Sequence, residues 1–129
     1  DPFGAVLVWN GEVVHEAGDR SVECSDPTYH AELSVISEYC REKRRFSLEG
    51  YTLYSSAEPC LMCAGAILQS RIKRLVYAAK EPKFGAVESV ARVLDNDAWN
   101  HKIEVTGGVL EEESSVLLKS FFQKLRMSK

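Results

Sequence analysis

The hydrophobic pattern changes period several times along the chain, and each change marks an element. "FGAVLVW" (Phe3 to Trp9) and "EVVHEA" (Glu12 to Ala17) flank Asn10-Gly11. Asn-Gly tolerates the positive φ angles of a type I′ turn, so the segment predicts a β-hairpin. A polar loop follows and ends in Asp26-Pro27-Thr28. From about Tyr29 to Arg45, Ala31, Val35, Ile36, Tyr39 and Cys40 recur at helical spacing. The basic run Arg41 to Arg45 falls at that helix's C-terminal end, where cations suit the dipole. After the Gly50 break, "YTLYSS" (Tyr51 to Ser56) predicts a buried strand. "CLMCAGAILQS" (Cys60 to Ser70), entered through Pro59, predicts a short apolar helix, and "RLVYAA" (Arg74 to Ala79) another core strand. "VESVARVLD" (Val87 to Asp95) is expected to be helical. "IEVTGG" (Ile103 to Gly108) predicts a strand with a glycine stop, and Glu111 to about Leu125 a long amphipathic helix.

The resulting order is β-β-α-β-α-β-α-β-α. Strand–helix–strand alternation after an opening hairpin predicts an α/β fold, a three-layer α/β/α sandwich with a central five-stranded mixed sheet. No internal repeat, low-complexity segment or linker interrupts it, so residues 1–129 are expected to form a single domain.

Composition adds limits. A chain of 129 residues can bury a core without disulfides, and 45% apolar with 27% charged residues is ordinary for a globular protein. The formal net charge of −3 supplies no broad basic field, so contact with nucleic acid would need a local patch. No apolar run approaches the roughly 20 residues that span a bilayer, so no membrane partner is expected. With no secretory signal visible, the four cysteines favour reduced thiols and metal over disulfides, and a cytoplasmic location is expected.

The chemistry gathers in two places. Cys60 and Cys63 are i, i+3 on one helix face, and Cys60 sits at the helix N-terminus, where dipole and free N–H groups favour the thiolate that binds metal. His30 opens another helix and can supply a nitrogen. A His/Cys/Cys set leaves the fourth zinc position open to water, the layout of a catalytic site. Glu32, two residues after His30, can approach that water without ligating the metal. Cys-x-x-Cys alone also fits a redox pair, and His-x-Glu alone carries no information. Together they resemble the signature of zinc-dependent nucleobase deaminases.

The match extends well beyond the ligands. "PFGAVLV", "DPTYHAE", "TLYSSAEPCLMCAGAI", "SRIKRLVYAAKEPKFGA", "NHKIEVTGGVL" and "LLKSFFQKLR" follow one another over nearly the whole chain. In these segments the sequence resembles the cytidine-deaminase superfamily, most closely its bacterial tRNA adenosine deaminases and the related guanine deaminases. The resemblance implies one Zn2+ per subunit on His30, Cys60 and Cys63, with Glu32 as catalytic base and then acid. Two substrates follow from it: an adenosine in the tRNA anticodon loop, converted to inosine, or a free purine base, nucleoside or related amino-heterocycle, guanine above all. An RNA-binding subunit that keeps zinc without turnover is a third reading, against which the intact Glu32 argues.

The resemblance also nominates substrate contacts. The family's base-binding asparagine aligns with Asp19, which accepts hydrogen bonds but cannot donate them. Tyr29 stands where relatives usually carry Ala, so it either shapes the pocket or serves packing. Ala57, Glu58 and Pro59 lead into the cysteine helix. Glu81 and Phe84 lie where the tRNA enzymes meet their anticodon loop, and Phe84 could stack on a splayed base. Arg71, Lys73, Arg74, Lys80, Lys83, Lys124, Arg126 and Lys129 are candidate phosphate contacts or a solvated surface. His101 is expected at a structural or rim position, and Trp99 and Phe121-Phe122 in packing. Relatives are usually homodimers, for which the apolar Cys60–Ser70 helix is a candidate interface. They also usually carry a helix before the first strand, which residues 1–129 are expected to lack.

Overall fold

A computed structural model describes residues 4–108 of the protein. The hairpin is β1 (Gly4–Trp9) and β2 (Glu12–Gly18), followed by α1 (Ala31–Lys43), β3 (Thr52–Ala57), α2 (Leu61–Gln69), β4 (Arg74–Ala79) and β5 (Glu104–Gly107). The hairpin turns as its sequence requires, with Asn10 at φ 53° and Gly11 at φ 80°.

The five strands form one sheet in the order β2-β1-β3-β4-β5. β1 is antiparallel to β2 and β3, whereas β3, β4 and β5 run parallel. Leu7, Leu53 and Leu75 stand side by side across the central strands, all fully buried. They share one core with Val35 and Ile36 of α1 and Ile67 of α2. Burying each such side chain contributes roughly 1.5–3 kcal/mol. Val6 and Val76 alternate onto the opposite face and are also buried. The α/β architecture with a mixed five-stranded sheet is thus as expected.

One expectation is corrected. Val87 to Asp95 is not a helix; it is a succession of turns ending in a 3-10 segment, Val93–Asp95. Three valines and a serine give it weak helical propensity. Its amides also go elsewhere: those of Val87, Glu88 and Ser89 bond the Glu58 carboxylate. The N–H of Val93 reaches the carbonyl of Ala86 at 3.0 Å, seven residues back, so the i→i+4 ladder is never made. The expected helix at Glu111 to Leu125, with Phe121, Phe122, Lys124, Arg126 and Lys129, lies outside the described residues. Among those described, no helix is long and apolar enough to cross a membrane.

Candidate active site

Two helix N-termini converge where β3 ends. His30 is the N-cap of α1 and Cys60 the N-cap of α2, and neither side chain bonds its own helix end. Both are therefore free to face each other. Cys63 follows one turn into α2 and is fully buried.

The Cys60 Sγ lies 3.6 Å and the Cys63 Sγ 3.8 Å from His30 Nδ1. All three donor atoms lie within 4.8 Å of one another. Tetrahedral zinc, with bonds of about 2.3 Å to sulfur and about 2.05 Å to nitrogen, requires sulfur–nitrogen separations of about 3.6 Å. The donors fit that ion in kind and in spacing. Cys60 and Cys63 are both free thiols here, the state in which sulfur can ligate a metal.

Electrostatics agree. The Cys60 thiol is drawn down to about 5, first by its hydrogen bond with the Cys63 sulfur and further by His30. The Cys63 thiol is pushed up, first by that same bond and then by burial. Without metal the two sulfurs share one proton, and a dication would displace it.

Glu32 lies in the first turn of α1 and lines the same cavity as His30 and Cys60. Burial raises its carboxyl from 4.5 to about 7, with the Cys60 thiolate adding to the rise. A carboxyl with that value gives and takes protons near neutrality. The cavity has a volume of about 580 Å³, room for a base and its sugar.

Of the expected contacts, Asp19, Ala57, Glu58, Glu81 and Phe84 line this cavity. Asp19 Oδ1 accepts the N–H (2.9 Å) and the hydroxyl (2.7 Å) of Ser21, and the first of these bonds chiefly lowers its pKa. It therefore faces the cavity as a carboxylate. Phe84 is 70% exposed at the rim. Glu58 adjoins the cavity, but its carboxylate is held by backbone N–H groups of residues 81 and 87–89. Those bonds and the Ser89 hydroxyl hold its acidity at about 2 against the opposing effect of burial.

Two nominated contacts are not among the lining residues. Pro59 is fully buried, and its carbonyl accepts the Ala86 N–H at 2.9 Å. Tyr29 donates its hydroxyl to Glu38 Oε2 at 2.8 Å, beside His15 and Arg20 on the same carboxylate. His101 donates Nε2–H to the Ile72 carbonyl at 2.8 Å, a structural bond. Arg71 pairs with Glu49 and Arg74 with Thr106, so both cations are engaged within the fold.

Pro27, Ser55, Ser56 and Met62 also line the cavity and were not singled out from the sequence. The serines had a usable signal: ligands in α/β sheets collect at the carboxyl ends of parallel strands, and β3 ends here.

Residues 1–79 match the cytidine and deoxycytidylate deaminase zinc-binding region. The chain belongs to this deaminase family. It is 43% identical to the tRNA-specific adenosine deaminase of Bacillus subtilis over 128 residues, which cover 99% of the chain and 80% of that relative. A solved structure from work on A-to-I editing by tRNA:A34 deaminases superposes with a TM-score of 0.81 at 45% identity, covering 88% of this chain and 83% of that one. The guanine deaminase of Bacillus subtilis superposes with a TM-score of 0.61 at 34% identity, covering 97% and 79%. The deaminase is a zinc-dependent hydrolytic enzyme acting on an amino-substituted ring.

Proposed function

We propose that the protein converts adenosine to inosine in tRNA, with His30, Cys60 and Cys63 holding zinc and Glu32 moving the protons. The observation that carries this is the spacing of one imidazole and two sulfurs, which suits tetrahedral zinc, at the wall of a cavity that Glu32 also lines. Bound zinc supplies a water activated for attack near neutral pH. Glu32 would move both protons of the attacking water: the first to a ring nitrogen, and the second, from the hydroxyl of the adduct, to the amine, so that the C–N bond breaks, ammonia leaves and a carbonyl remains.

The preference for tRNA rests on the relatives and on Phe84. A rim aromatic left 70% exposed supplies a stacking surface for a base outside a duplex. Lys80 and Lys83 flank it as candidate phosphate contacts, in the cytosol where tRNA resides. We further propose a homodimer, with Leu61, 65% exposed at the start of α2, available to the interface. One observation favours the guanine reading: Asp19 offers the cavity acceptors only, which suits the ring N–H and exocyclic amine of guanine.

Ammonia release from tRNA, adenosine, guanine, guanosine, cytosine and cytidine decides between them. Release from tRNA with inosine in the product supports the proposal. Release from guanine or another small molecule alone overturns it in favour of the second reading.

A further inference from the structure

Glu58 is a buried acid, 3% exposed, to which the proposed chemistry gives no task. Both of its oxygens are occupied by one loop. Oε2 accepts the N–H groups of Val87 at 3.1 Å, Glu88 at 2.7 Å and Ser89 at 2.9 Å. Oε1 accepts the N–H of Glu81 at 3.1 Å and the hydroxyl of Ser89. Four amides separated by up to eight residues thus converge on a single side chain. The loop is pinned beside it by a bridge between Cys60 and Gly85 and by the Ala86 N–H on the Pro59 carbonyl at 2.9 Å. Gly85 lets the loop close this far, because a Cβ there would stand 2.4 Å from the Glu58 carboxyl carbon.

The loop carries Glu81 and Phe84 to the cavity rim. Phe84 is mostly solvent-exposed, so its place at the mouth is set by the backbone that bears it rather than by packing around its ring. A buried carboxylate deprived of these partners would be costly, and the amides deprived of it would be left unpaired. Carboxylate and loop therefore order one another.

We propose that Glu58 is a positioning residue that clamps residues 81–89 against the cysteine helix, fixing the rim that recognises RNA around the target base. Although Glu58 lines the cavity, both of its carboxylate oxygens are turned to the loop. Its effect falls on recognition and leaves the chemical step alone. The substrate side of this inference rests on the tRNA-deaminase reading, whereas the clamp itself does not.

The test combines hydrogen exchange of the loop amides in the zinc-loaded protein with steady-state kinetics on an anticodon stem-loop RNA. Glu58→Ala is expected to speed exchange at Glu81, Val87, Glu88 and Ser89 by about tenfold, as each amide loses its one hydrogen bond. KM should rise about tenfold while kcat at saturation stays within about threefold and zinc stays bound. Glu58→Gln, which keeps one acceptor oxygen, should restore part of both. Ser89→Ala removes only a hydroxyl, so it reads the clamp even if Glu58→Ala fails to fold, with smaller shifts in the same direction. Unchanged exchange in the folded variants overturns the clamp. A collapse of kcat at constant KM, or loss of zinc, overturns it too, because Glu58 would then be acting on the metal centre. A wild-type protein inert on RNA refutes the functional reading, and the exchange result still decides the clamp.

Discussion

Replacing Glu32 by Gln separates catalysis from folding at one position. The side chain keeps its size and loses its ability to carry a proton. Where a carboxyl performs general acid–base transfer, its removal costs about 10²–10⁴ in rate, or about 3–5 kcal/mol of barrier. Zinc content should not change, because the donor atoms belong to His30, Cys60 and Cys63. In metal-free protein the same substitution should stabilise. Burial raises the Glu32 carboxyl from 4.5 to about 7, so the folded state holds a proton that the unfolded chain releases. The sign follows: stability falls as pH rises from 4.5 to 7, and the cost is complete above 7. At 1.36 kcal/mol per pH unit the full cost is about 3 kcal/mol at pH 8, and under about 1 at pH 5. Urea unfolding of both proteins in chelator at the two pH values measures the difference directly, since Cys60 and Cys63 are common to both. Glu32→Gln should exceed wild type by about 3 kcal/mol at pH 8 and by much less at pH 5. A pH-independent difference would refute the desolvation argument, and full activity in the zinc-loaded variant would remove Glu32 from the mechanism.

Three further outcomes are expected. Cys60→Ala should lose zinc and activity together, in contrast to Glu32→Gln, which metal analysis beside turnover will show. Phe84→Ala should raise KM for RNA by about 5- to 100-fold, as expected for one lost stacking contact. Because Phe84 is 70% exposed, the same change should alter unfolding free energy by no more than about 0.5 kcal/mol. Gly107→Ala should destabilise by about 1–3 kcal/mol or more in denaturant melts. Its Cβ would clash with the ring of Tyr77, its fully buried partner on β4.

Local signals carried most of the fold. Asn10-Gly11 specified the hairpin, because only the turn residues decide that connection. The spacing of Val35, Ile36 and Tyr39 specified α1, whose end Arg44 marks at φ 55°. Val87 to Asp95 failed because its fate depends on Glu58, some thirty residues earlier. Periodicity cannot register a distant carboxylate competing for amides. The metal donors were legible because they fall in two short motifs, His30-x-Glu32 and Cys60-x-x-Cys63, each readable from local spacing. The cavity walls were legible only where a motif passed nearby. Glu58 and Tyr29 were both nominated as contacts, yet their polar atoms turn to a loop and to Glu38. A side chain's direction follows from tertiary packing, which sequence order does not state.

The account turns on a mixed nitrogen–sulfur metal centre with room for solvent. Zinc-edge X-ray absorption on the purified protein measures that shell directly. Two sulfur scatterers at about 2.3 Å and two nitrogen or oxygen scatterers at about 2.0 Å are expected, with one zinc per chain. A shell of four sulfurs, or protein that binds no zinc with its thiols reduced, would contradict it.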